Sequence, residues 1–228
     1  YGKLENAKNL IPAMKYPYGI GHIYSGKVVL FNPKMMAAPQ GFADTLDPKH
    51  GNKLGIIDIQ YQYTMLAAAL ASGGTMSDFE AGKDRLLACK KAGARVYPSN
   101  EAFAQALKTE EIAWGIMWKA RAVQWQNAGI NVETVAPQEG VPMYVSGFVM
   151  PRNAPNKAGA YAYLDAMMAP SAQEGFAVDM GYNPTVTNAK VPPDVQKRIG
   201  FTEEEQKRLR DLDCGYMAKN DTAFQEWW

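Results

Sequence analysis

The 228 residues carry 24 Lys+Arg against 23 Asp+Glu, a net charge of +1, which lacks the basic footprint of a nucleic-acid binder. Two Cys and two His build neither the usual Cys/His zinc site nor a disulfide-dense scaffold. With 47% hydrophobic and 21% charged residues, the composition is that of an ordinary globular protein, large enough to bury about 70% of its unfolded surface. The longest apolar run, Tyr63 to Ala71 interrupted by Thr64, falls far short of the ~20 residues that span a bilayer. Both ends read as cuts: Tyr1-Gly2-Lys3-Leu4 is no export leader, and Trp227-Trp228 closes what looks like the middle of a helix.

Lys27 to Phe31 is the first clear strand, a β-branched and aromatic run that reads as buried. Lys53 to Asp58 is a second, feeding a small-residue helix from Gln60 to Ser72 that Gly73-Gly74 closes. Ser77 with Glu80 reads as a capping box for a helix to Lys91, stopped by Gly93. Arg95 to Tyr97 is a short strand, Asn100 caps a helix through Leu107, and Ile112 to Trp118 is an apolar strand entering a helix from Ala120 to Asn127. Val132 to Val135 and Tyr144 to Met150 are further strands. Helices dominate thereafter: Lys157 to Met168, one opened by a Ser171–Glu174 capping box, and one from a Thr202–Glu205 box to about Asp211. The alternation of strand and helix predicts βαβ units in a mainly parallel sheet, with the helical last third packing back on it.

Little here resembles catalytic machinery. Cys89 and Cys214 have only His22 and His50 as bases, with no local cue joining them, and read as structural. No Gly-x-Ser-x-Gly elbow or phosphate loop occurs. Asp58 ends a strand but has no partner carboxylate, so it serves as well as a helix cap. A soluble α/β enzyme using Asp58 or Cys89 is the rival from another class. More informative are aromatic residues at strand-to-helix junctions, where open α/β sheets hold their ligands. Gln60, Tyr61 and Tyr63 follow one strand, Trp118, Lys119 and Arg121 another, while Tyr144 and Ser146 open a third. Rings with a few placed polar groups suit a small-molecule cleft, although each ring is also at home as core at a layer edge. Arg121 stands in the first turn of its helix, where the dipole disfavours a cation, so it either faces solvent or completes an anion site.

The order of several stretches resembles the bacterial extracellular solute-binding proteins of ABC transporters, in the spermidine/putrescine-binding-like branch. They are Ile23 to Asn32, Phe42 to Leu46, Lys53 to Ile57, Trp114 to Trp118, Val135 to Gly140, Gly147 to Pro151 and Gly181 to Pro184. The resemblance implies a type II periplasmic-binding-protein clamshell. Residues 1–41 and 144–185 would form part of lobe 1, and residues 42–143 and 186–228 lobe 2, with two strands crossing the hinge. It also implies a strand–helix stretch ahead of Tyr1, leaving lobe 1 incomplete, and a periplasmic location reached with a signal peptide not present in this chain.

Polyamine binders of that family pair each ammonium with carboxylates. The matching positions here are Gln60, Tyr61 and Thr64, and Ser146, while the ring matching Trp118 is kept. A buried ammonium without acids costs several kcal/mol, which points away from a di-cation. Ferric binding through Tyr61 and Tyr63 is disfavoured, because adjacent-but-one residues of a helix point about 200° apart. The expected ligand is a small carboxylate-bearing or amino-acid-like solute. Arg121 would take the carboxylate, Trp118 and Tyr61 the aliphatic part, and Tyr24, Tyr144 and Ser146, with Gln60, the polar contacts; Asp58 or Glu133 could receive an amine. A polyamine held chiefly by Trp118 is the alternative. A membrane permease is the expected partner of a monomer that uses no cofactor or metal. A Cys89–Cys214 bridge is open, with two buried free thiols favoured over it.

Overall fold

A computed structural model describes all residues, 1–228. Its elements in chain order are β1 (Lys15–Tyr16), β2 (Gly19–Phe31), α1 (Phe42–Thr45), β3 (Gly55–Ile57), α2 (Tyr61–Ala71), α3 (Lys83–Lys91), β4 (Arg95–Tyr97), α4 (Asn100–Lys108), β5 (Trp114–Trp118) and α5 (Lys119–Asn127). They continue with β6 (Glu133–Val135), β7 (Val141–Val149), α6 (Lys157–Met167), α7 (Pro170–Met180), β8 (Asn183–Pro184), α8 (Pro193–Ile199), α9 (Glu203–Gln206), β9 (Leu209–Arg210) and α10 (Cys214–Trp227).

The 13-residue β2 organises the chain. Its first half pairs with β1, β7 and β8, its second half with β5 and β6, and every one of these pairings is antiparallel. The expected mainly parallel sheet is therefore corrected. True crossovers exist only where a helix intervenes: β3 and β4 run parallel, with Ile56 opposite Val96, and Leu54 bridges Trp114 in parallel. β2 has no such crossover, because one unbroken strand carries the chain from one core to another.

A small core gathers Leu4, Ala7, Leu10, Met14, Ile20, Met168 and Val186. Two larger ones take Val28 to Phe31 from the far end of β2. One adds Phe42, Met65, Leu66, Phe79 and Phe224, the other Phe103, Leu107, Met117 and Trp125. β7 makes the same passage, with Val141 in a large core and Val145 and Phe148 against the small one. Close packing rather than turn geometry demands glycine at Gly115, where a Cβ would stand 2.3 Å from the Phe103 ring.

The C-terminal third packs back as expected: Met217 and Phe224 of α10 enter the core beneath α2. Four local expectations are corrected. Ser99, not Asn100, caps α4, its hydroxyl accepting the Ala102 N–H at 3.1 Å. Ser77 caps no helix; its hydroxyl donates to Asp213 (2.5 Å), and α3 begins only at Lys83, after a 3-10 turn. Ser171 lies inside α7, which starts on Pro170. The Thr202–Glu205 capping box does form, but its helix stops at Gln206, because Leu209 and Arg210 are recruited as a strand beside β7.

Candidate functional site

Parallel β3, β4 and β5 end on the same side, and α2, α4 and α5 start there. Trp118 closes β5 directly opposite Lys27 of β2. Residues in register stand side by side on one face, within reach of each other's side chains. Lys27, only 1% exposed, places its Nζ 4.5 Å from the centre of the Trp118 ring and 5.2 Å from that of Tyr63. The Tyr63 and Trp118 rings meet edge to face at 4.9 Å. Trp118 then touches Tyr144 of β7 at 5.2 Å, and Tyr144 touches Tyr182 at 6.1 Å. Tyr182 is delivered by Gly181, whose φ of 73° ends α7 in the left-handed region that glycine adopts without strain.

Polar groups complete the cluster. Gln60 accepts a hydrogen bond from the Lys27 ammonium and donates through Nε2 to Asn100 Oδ1 at 2.8 Å. The buried Ser25 hydroxyl accepts the Ala120 N–H at 3.0 Å, satisfying an orphan donor of the first turn of α5 and tying that helix to β2. Four salt bridges occur in the chain, and none includes Lys27, Lys119 or Arg121. Burial pushes the Lys27 amine down to about 7, and burial likewise raises the Tyr63 and Tyr182 hydroxyls. The phenols thus stay neutral beside the amine.

The proposed site residues divide. Gln60, Trp118 and Tyr144 come together in the cluster, and Ser146 follows Tyr144 on the same face of β7. Arg121 is half-buried and donates to Gln124 Oε1 of its own helix at 2.9 Å, while its charge bears on the Tyr182 hydroxyl. It sits at the rim. Tyr61 is not brought in: its hydroxyl donates to Asp221 and accepts from Gln225, and its ring faces Trp228. α10 covers that face of α2, and Tyr63 takes the place expected of Tyr61. Tyr24 falls on the opposite face of β2 from Ser25 and Lys27, as strand alternation requires, and packs against both the small core and one large core. Lys119 points away too, donating to the Gly200 carbonyl over the Phe201 ring.

The acids named as amine acceptors are elsewhere. Asp58 is exposed and accepts from Trp228 Nε1 at 2.7 Å, beside a hollow of about 230 Å³ lined by Ile56, Leu86, Lys90 and Trp227. Glu133 pairs with Phe31, four strand residues or about 13 Å from Lys27. The cysteines are free; Cys89 is buried with its thiol pushed up to about 11, and Cys214 is exposed, correcting the expectation of two buried thiols. Sequence reasoning missed Lys27, Tyr63's role, Tyr182 and Asn100. A signal for Lys27 was available: it interrupts an otherwise buried face of β2 that Ser25, Val29 and Phe31 define.

The fold is that of the type II periplasmic binding proteins, mixed α/β. A structure of the spermidine/putrescine ABC transporter substrate-binding protein PotD from Streptococcus pneumoniae superposes with a TM-score of 0.84 at 18% identity, covering 100% of this chain and 76% of that one. The Atu4243 GABA receptor gives 0.81 at 21% identity, over 99% of this chain and 72% of that one. The profile described as bacterial extracellular solute-binding protein matches residues 3–203, and the chain belongs to that family. The spermidine/putrescine-binding periplasmic protein of Salmonella typhimurium is 26% identical over 227 residues, covering 85% of this chain. The chain spans about 62% of that relative's length. These family members are solute-binding proteins rather than enzymes. No helix of the chain is long and apolar enough to cross a membrane.

Proposed function

We propose that the chain is the solute-capturing component of an ABC importer. It binds a small carboxylate-bearing, amino-acid-like solute between Trp118, Tyr63, Tyr144 and Tyr182, and presents it to a permease in the cytoplasmic membrane. In this reading the small core centres one lobe, residues 1–41 with 144–185, and the two larger cores centre the other, residues 42–143 with 186–228, of a monomer in the periplasm whose lobes β2 and β7 join. The observation that carries it is the composition of the cluster: four aromatic rings in contact, an amide and two basic groups, with no carboxylate among them. Flat rings with few placed polar groups make a ligand slot. Family membership supports the transport role.

The polyamine reading draws on the name of the Salmonella relative and on the rings themselves, which attract cations. It lacks acids to neutralise a di-cation, and here the cluster already holds an amine. Calorimetry tests the proposal. Trp118→Ala should abolish solute binding and Arg121→Ala should weaken a carboxylate by about 2 kcal/mol or more, the loss expected when one partner of a charge-assisted contact is removed. Unchanged affinity in Trp118→Ala refutes the site; unchanged affinity in Arg121→Ala removes Arg121 from it.

A further inference from the structure

The Lys27 ammonium lies where an alkylammonium ligand would be taken: over the Trp118 face at 4.5 Å, near the Tyr63 face at 5.2 Å, with Gln60 as an acceptor. Rings with negative faces and a neutral amide form a cation receptor. A buried lysine ordinarily finds a carboxylate, and this one finds none. Its neighbours from each packed element are neutral: Gln60 and the phenol Tyr63 from the start of α2, Met117 and Trp118 from β5, and Asn100 of α4 one hydrogen bond behind.

We propose that Lys27 is the specificity-determining residue of the cleft, a built-in ammonium that fills the cation receptor, repels polyamines and supplies the countercharge for an anionic ligand group. This rests on the cleft being the solute site. Two consequences follow from the geometry. A cationic ligand meets both an occupied aromatic face and a like charge with no acid nearby to offset it. An anionic ligand seated on the rings has beneath it a buried ammonium whose remaining N–H donors have no partner within the chain, since Gln60 is its one hydrogen-bond acceptor. The positive charge then lies on β2 itself, next to Ser25, at the point where the strand leaves the large cores for the small one. Arg121, at the rim by Tyr182, would reinforce the same sign without touching the rings that Lys27 covers.

The test uses three four-carbon probes that differ only in their ends: succinate, 4-aminobutyrate and putrescine. Each is titrated calorimetrically into the full chain and into Lys27→Ala and Lys27→Met. Lys27→Ala empties the receptor, and Lys27→Met keeps it filled with an uncharged chain that suits the burial. The expected result has three parts. The parent chain prefers a carboxylate-bearing probe over putrescine by at least tenfold. Lys27→Ala gains putrescine affinity by tenfold or more. Lys27→Met loses at least tenfold for the carboxylate probes without unfolding. Putrescine binding to the parent as tightly as to Lys27→Ala overturns the assignment and leaves the cleft standing as a solute site. Carboxylate affinity unchanged in Lys27→Met does the same. If neither the parent nor a variant binds any of the three, the assignment and the proposed function both fail. A parent that binds none while Lys27→Ala binds putrescine supports the filled receptor.

Discussion

Replacing Lys27 by Met should stabilise the protein, and by an amount that shrinks as the pH rises. The amine is buried without a countercharge, and burial brings it from an ordinary 10.5 down to about 7. At 1.36 kcal/mol per pH unit, this drop is a penalty on the order of 5 kcal/mol on the folded state wherever both states carry the charge. That condition holds below about pH 7. Between about 7 and 10.5 the unfolded chain holds the proton and the folded one does not, so parent stability rises with pH across that window and the penalty fades. Two ring contacts, worth about 0.5–2 kcal/mol each, and the Gln60 hydrogen bond oppose the penalty and are lost in the variant. The hydrogen bond is worth about 1 kcal/mol, so the net gain for Lys27→Met is about 0–3 kcal/mol at pH 6, and it should fall by about 2–3 kcal/mol by pH 9. Urea unfolding of both proteins at the two pH values measures this directly, since every other titrating group cancels in the difference. A variant less stable than the parent at pH 6, or a difference equal at both values, would refute the reasoning.

Three further outcomes follow from the same geometry. A bound anion favours the charged amine, so affinity for a carboxylate probe should weaken towards tenfold per pH unit above about 7 and stay flat in Lys27→Met; calorimetry from pH 6.5 to 9 reads the slope. Exposed Cys214 should react with a thiol reagent in the folded protein and buried Cys89 only on unfolding, so a native titration returning two fast groups, or none, contradicts the structure. Ser25→Ala strands the Ala120 N–H at the start of α5 and should cost about 1–3 kcal/mol in a denaturant melt, and an unchanged midpoint would show that this bond does not hold α5.

Local signals in the sequence located most elements, because strand and helix periods and glycine stops are properties of short windows. α2, α3, α4, β4, β5 and α5 all lie within a few residues of where periodicity puts them, the late start of α3 apart. Sheet direction was not local. β2 runs antiparallel to all five of its neighbours, with its two halves in different cores, which no window of ten residues reveals. The aromatic register failed for the same reason. Tyr61 and Tyr63 sit on different faces of α2, and the choice between them is made by α10, some 160 residues on, through Asp221. That Gln60 and Trp118 come together was legible, since strand-to-helix junctions gather at one side of such a sheet, whereas Tyr144 lies within β7. Lys27 was overlooked as part of an apolar strand, although a lone cation on a buried face is the rarer and more telling event.

The position of Lys27 also joins recognition to the frame of the molecule. Only β2 and β7 are shared between the small core and the large ones, and both contribute to the cluster, β2 through Ser25 and Lys27, β7 through Tyr144. Their ladder shifts register between Gly21 and Ile23, a bulge that locally bends and twists a strand. The cluster therefore lies a few residues from this bend in the connection. Any rotation of one core against the other changes the contact of Tyr144 with Trp118, while Lys27 remains fixed to Trp118 by the β2–β5 register. A ligand bridging the Lys27 side and the Tyr182 side has different contact energy in the two arrangements, and that differential is the one quantity through which binding shifts such an equilibrium. In the proposed reading, a charge on the shared strand, rather than deep in a single core, lets the ligand's anionic end report on the relation between the cores.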